Sequence, residues 1–392
     1  MILRPAIILG LLLLLAGCAT RTAEIARPGR TSLGTPLVIV PARTLGNYLL
    51  VETKWDRHGP YRFLVDTGSS TTLVTPELVA RYPSRQQPAV AMPRVRVRSA
   101  SGESALLPST TIRRIELEEA RFEDVPVLVH DLRELSAHFG VKIDGILGFQ
   151  LFRETVMTLD YPQSRLLLQP RYPAPLHPGT AITFNSEQRT PFIPLKLGDQ
   201  SFTALIDSGS DAALTLNLAG LEPDFETPPR SGVVVGTLTG DHLQQVGRWR
   251  APLQVGDYTV PRPVVDLTEN FSSLGGGVLR HFTVTFDQER NRVTFHRETH
   301  APVPAAVRRS SGLSFTKLPA YWRIVSVVAG SPAEAAGVQA GDLVTRINAE
   351  PVERWDFNRF EQLIANADEI RFSFLNGTQE TERTLPVFTL VP

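Results

Sequence analysis

The chain is predicted to be mainly β, with two similar β-rich halves followed by a smaller α+β module. Three observations predict this. Short runs of β-branched and aromatic residues, punctuated by turn residues, extend from about residue 36 to residue 297. Within that stretch one ordered pattern occurs twice: an apolar strand ending in Asp-Thr/Ser-Gly-Ser, then, further on, an apolar run leading to another strand that ends in Asp. The texture then changes at residues 298–309, where Pro302 and Pro304 stand among alanines, and a region of mixed strand-like and helix-like spacing follows.

The first residues predict export. Arg4 precedes an apolar run over residues 6–16, with Leu11 to Leu15 unbroken. A bilayer-spanning helix needs about 20 apolar residues, so the run fits a signal-peptide core better. It ends in Leu15-Ala16-Gly17-Cys18, which resembles the lipobox of bacterial lipoproteins, where the cysteine is lipidated and becomes the first mature residue. Cys18 is the only cysteine of the 392 residues, so it has no intramolecular disulfide partner, and an acyl anchor accounts for it. Ala19 stands where an inner-membrane retention signal would place Asp, and the resemblance therefore implies the outer membrane, facing the periplasm. Residues 1–17 read as the signal peptide and 18–35 as a polar tether.

Residues 47–53 and 61–65 read as strands joined by a turn at 56–60, and residues 76–81 and 131–139 as brief helices. Arg94, Arg96 and Arg98 alternate with Val95 and Val97 as the solvated face of a strand. The first half, 36–172, carries Phe63-Leu64-Val65-Asp66-Thr67-Gly68-Ser69; the second, 173–297, carries Ala204-Leu205-Ile206-Asp207-Ser208-Gly209-Ser210 after a hairpin that turns at Gly198-Asp199. Gly145-Ile146-Leu147-Gly148 leads to a strand ending in Asp160, and Val278-Leu279-Arg280 to one ending in Asp287. The 40 basic and 40 acidic residues cancel, so nothing in the charge balance draws the chain to nucleic acid. The eight histidines have no HExxH or paired metal spacing, and there is no GxSxG elbow, P-loop or GxGxxG after a strand.

Two carboxylates within hydrogen-bonding distance cannot both ionise, so they share a proton, and one becomes a base for water while the other becomes an acid. Asp66 and Asp207, each at the end of an apolar strand, are the candidates for such a pair. Thr67 and Ser208 offer hydroxyls that can tie the two loops together. Gly68 and Gly209 let backbone N–H groups approach the carboxylates, and Ser69 and Ser210 could donate to the outer oxygens.

On these residues the stretch 35–296 resembles the pepsin and retropepsin superfamily of aspartic peptidases, most closely its bacterial retropepsin-like group. The resemblance implies two acid-protease-like β-barrel lobes forming a bilobal pseudo-dimer, catalytic Asp66 and Asp207, protein or peptide substrates, and no metal or cofactor. It further implies that two apolar residues and a glycine buttress each active loop. Ile146-Leu147-Gly148 matches, whereas Arg280 stands where the second half should have glycine. Glycine-tipped flaps are expected at residues 99–103 and 236–240. Two rivals remain open: a homodimer pairing Asp66 with its copy in a second chain, and a degenerate scaffold without catalysis.

Residues 310–392 resemble a PDZ domain of bacterial envelope proteases, through Ser331-Pro332-Ala333, Gly337-Val338 and Gly341-Asp342-Leu343-Val344. Helices are expected at about 332–336 and 358–367. By this resemblance Gly312, Leu313, Ser314 and Phe315 form the loop that holds a peptide's terminal carboxylate, with Ser314 in the place of a glycine.

Overall fold

The computed structural model describes residues 29–82, 92–98, 102–237, 240–304 and 307–391. Cys18, the signal peptide and flap-tip residues Ser99, Ala100, Ser101, Leu238 and Thr239 lie outside them. The described chain is mainly β, as the spacing predicts. Strand structure begins earlier than expected: Thr31–Leu33 pairs with Ala120–Val129, and Thr31 N–H donates to Glu154 at 3.0 Å.

Each half is built on the same local arrangement. In the first, Tyr48–Trp55 and His58–Asp66 form a hairpin, and the second of these strands runs parallel to Gly145–Gly148. In the other, Phe192–Leu197 and Gln200–Asp207 form the hairpin, and Gln200–Asp207 runs parallel to Ser273–Gly275. Thr72–Val74 and Leu214–Leu216 then lie antiparallel to those glycine-ended strands. Strict alternation in Tyr61-Arg62-Phe63 buries the aromatics and exposes Arg62, which fixes the register of His58–Asp66. Its hairpin turns at Asp56 and Arg57, both at positive φ (48° and 70°), so the turn is tighter than the expected 56–60.

The halves also share a sheet, which the sequence did not reveal. Thr155–Asp160 pairs antiparallel with Thr283–Asp287, and Thr158 faces Thr285 at the centre with hydroxyls 2.9 Å apart. Met157 and Leu159 join Val284 and Phe286 in the large apolar core. That core spans both halves, so they fold against each other rather than as separate beads.

The segment expected as a linker is anchored. Val303 is buried in the same core and its N–H donates to Thr259 at 2.9 Å. Arg308–Ser310 pairs with Phe388–Val391, and the Arg308 guanidinium contacts both oxygens of the buried Asp266 at 2.9 and 3.0 Å. The C-terminal module has its own core around Phe315, Trp322, Phe360 and Phe372. Its helices, Pro332–Ala335 and Phe357–Asn366, fall where they were expected, capped by Ser331 and Asp356. Leu313–Lys317 is the edge strand of its sheet, and helix Arg133–Phe139 of the first half packs against that strand. Gly140, the left-handed cap of this helix, sits between Lys317 and Phe357.

Candidate active site

Asp66 and Asp207 come together at the ends of their strands, each carboxyl group lying against the other's loop. Two N–H groups, from Gly68 at 2.8 Å and Ser69 at 3.1 Å, donate to Asp66 Oδ1; Gly209 N–H donates to Asp207 Oδ1 at 2.9 Å. The loops cross closely. A Cβ built on Gly68 would lie 2.5 Å from Asp207 Oδ1, and one on Gly209 would lie 2.5 Å from Asp66 Cγ. Only glycine permits that approach.

Thr67 and Ser208, both fully buried, exchange four hydrogen bonds across the contact. Thr67 N–H donates to Ser208 Oγ and Ser208 N–H to Thr67 Oγ1, each at 3.0 Å; Thr67 Oγ1 donates to Ile206 O at 2.7 Å and Ser208 Oγ to Val65 O at 2.8 Å. Each hydroxyl therefore both donates and accepts, and neither side-chain oxygen of the pair is left without a partner.

Burial raises both carboxyl groups above their ordinary range. For Asp207 the Asp66 charge adds to it, and that residue is raised further; at Asp66 the N–H donors oppose the effect. This favours one shared proton over two anions.

Two expectations are corrected. Ser69 Oγ donates to Thr71 O at 2.8 Å and Ser210 Oγ accepts from Ala212 N–H at 3.3 Å, so these hydroxyls close their own turns rather than reaching the outer carboxylate oxygens. More consequentially, Arg280 is not the counterpart of Gly148. Asp66 is paired with Gly148, and Asp207 with Gly275. A Cβ on Gly148 would lie 2.5 Å from the Thr71 carbonyl carbon, and one on Gly275 would lie 2.4 Å from Ala212 O. The turns beyond also correspond, with Phe149 N–H donating to Ser69 O and Gly276 N–H to Ser210 O. The interval to the next strand carried the missed signal: seven residues from Gly148 to Thr155, and eight from Gly275 to Thr283. Gly275→Ala is expected to destabilise the protein by about 1–3 kcal/mol, because the obstacle is backbone, and urea denaturation checks it.

The first expected flap is a hairpin of Arg94–Arg98 and Ser104–Leu117. It reaches the second half: Gly102 abuts the Asn270 side chain, and the Arg98 guanidinium lies 5.8 Å from the centre of the Phe271 ring. The second is the hairpin Arg230–Thr237 and Gly240–Arg248. In the C-terminal module, Gly312 alone forms a turn, at φ 83°, while Leu313, Ser314 and Phe315 belong to the edge strand. Leu313 and Phe315 point into the core, and Gly312 N–H donates to Ser310 Oγ at 2.9 Å. That N–H is thus already occupied within the chain.

Residues 51–151 match the family model for aspartyl protease, and residues 323–373 that for PDZ domain. The chain thus carries an aspartyl protease-like domain and, after it, a PDZ domain. Among solved structures, a retropepsin-like aspartic protease from Rickettsia conorii matches at 16% identity, covering 36% of this chain and 92% of that one, with a TM-score of 0.26. That likeness is too slight to carry an argument. No curated protein matches the chain.

Proposed function

We propose that this chain is a bilobal aspartic endopeptidase of the bacterial cell envelope, with Asp66 and Asp207 as its catalytic pair. The observation that carries the reading is the close approach of two carboxyl groups whose loops are locked together by Thr67 and Ser208. In the shared-proton state the ionised carboxylate takes a proton from water as it attacks the scissile carbonyl. The protonated partner gives its proton to the carbonyl oxygen. Collapse of the tetrahedral intermediate returns a proton to the leaving amine, and the pair again holds one proton. Gly148 and Gly275 support the two loops from behind.

The intramolecular pair supports action as a monomer, since Asp66 already has its partner carboxylate. The degenerate scaffold rested on Arg280, and that side chain lies outside the buttress position. The PDZ module is assigned to peptide recognition or gating. Its placement beside helix Arg133–Phe139, just ahead of the Gly148 strand, favours gating. The lipobox ending at Cys18 supports lipid anchorage at the outer membrane, facing the periplasm.

An endopeptidase assay on casein or a peptide library, comparing the wild type with Asp66→Asn, tests the reading. Cleavage by the wild type and its loss in the variant are expected. Equal cleavage by both would sink the mechanism.

A further inference from the structure

We propose that Asn47 and Tyr48 are positioning residues for Asp207, two consecutive side chains of the first half that grip the backbone of Asp211 and so hold the second active loop in register with Asp66. This deepens the peptidase reading and, for its catalytic consequence, rests on it.

The two active loops are unequally supported from within. Asp66 Oδ1 accepts from both Gly68 and Ser69 N–H groups. On the other side Gly209 N–H reaches Asp207 Oδ1, while Ser210 N–H turns to the Asp207 main-chain oxygen at 3.3 Å. A carboxylate with less local support depends more on whatever holds its loop in place.

That hold comes from across the interface. Asn47 Nδ2 donates to Asp211 O at 2.7 Å, and the Tyr48 hydroxyl lies beside the Asp211 N–H. The main-chain carbonyl of Asp211, four residues beyond Asp207, is therefore held by a side chain of the other half. Arg280 orients the grip: its guanidinium donates to Asn47 Oδ1 at 3.0 Å, and because guanidinium has only donors, the amide must turn its NH₂ toward Asp211. Close approach is built in at Gly276, where a Cβ would lie 2.5 Å from Asn47 O, and Gly276 N–H itself holds Ser210 O at 2.7 Å. The Tyr48 ring meets Phe139 edge-on, with centroids 4.7 Å apart. Burial, and then the charges of Asp211 and Asp207, push the Tyr48 phenol well above its ordinary value, so it stays protonated and brings no anion near the pair.

The consequence is chemical as well as structural. Proton sharing requires the carboxyl groups to face each other, and misplacing a reacting group by about 1 Å can cost on the order of 100-fold in rate. Releasing Asp211 lets Asp207 drift, which weakens the coupling and returns the pair toward ordinary carboxylate titration.

The test uses Asn47→Ala and Tyr48→Phe, with Phe139→Leu as a packing control. Carboxyl carbons of Asp66 and Asp207 are followed by NMR through a pH titration, and kcat and KM are measured on a peptide substrate. In the first two variants the higher apparent pKa of the pair is expected to fall by about one unit or more, and kcat by roughly 10- to 100-fold, with KM within about twofold. Phe139→Leu is expected to lower stability and leave the pair's titration near that of the wild type. Unchanged titration in both Asn47→Ala and Tyr48→Phe overturns the inference. If the titration shifts but the wild type cleaves nothing, the positioning stands and the peptidase reading fails.

Discussion

Asp207→Asn is expected to lower kcat for peptide hydrolysis by about 100- to 10,000-fold, the range that general acid–base catalysis supplies. Asparagine keeps the shape of the side chain and its contact with Gly209 N–H but holds no transferable proton, so Asp66 is left without a partner to share one. The size of the loss identifies the pairing. If Asp66 worked with its copy from a second chain, Asp207→Asn would retain near wild-type turnover. The pH profile gives a second reading of the same pair. Because burial raises both groups, kcat should fall as pH rises through the upper apparent pKa of the pair, where the shared proton leaves. Stability moves the same way. The folded pair keeps protons that the unfolded chain has released, so the contribution is fully present below the ordinary carboxylate range and is lost as pH rises above it.

Thr67→Val should have the largest effect on folding. Valine matches threonine in shape but loses both the acceptor for Ser208 N–H and the donor to Ile206 O, in a place with no solvent. Each buried group left without a partner costs about 1–3 kcal/mol, so a loss of roughly 2–6 kcal/mol is expected. A lower urea midpoint with an unchanged slope would show it. Thr67→Ser keeps the hydroxyl and should stay within about 1.5 kcal/mol of the wild type, given the single methyl removed. Equal stability of the valine and serine variants would mean that the crossed hydroxyls do not hold the halves together.

The active loops were legible because they repeat. Asp66 and Asp207, their glycines and the paired hydroxyls each follow from the same few residues read twice, and local chemistry decides where they go. Gly275 was not legible by motif. Ser273 stands where the pattern has an apolar residue, and three successive glycines hide which one faces the loop, so the better apolar match of Val278-Leu279 drew the alignment to Arg280. Strand register, which depends on the whole half, decided it. The shared sheet was hidden for another reason. Thr155–Asp160 is buried on both faces, so it reads as an apolar run without a period that would reveal its partners. The turn at Asp56 and Arg57 lacks the glycine that usually marks positive φ, and Asn47 is an unremarkable residue at a strand start whose role exists only across the interface. In the C-terminal module, helix spacing and caps were readable, but the strand character of Leu313 to Phe315 came from packing against Trp322–Val327.

The helix Arg133–Phe139 has two neighbours that sequence would never bring into one sentence. On one side lies the edge strand Leu313–Lys317, whose outward backbone is where a peptide would add as a further strand. On the other, after residues 140–144, the chain enters the strand that carries Gly148 against Asp66. A peptide joining that edge would come in beside the helix that leads into the first active loop. On the gating reading, a single short helix would then link a peptide on the module to the first active loop.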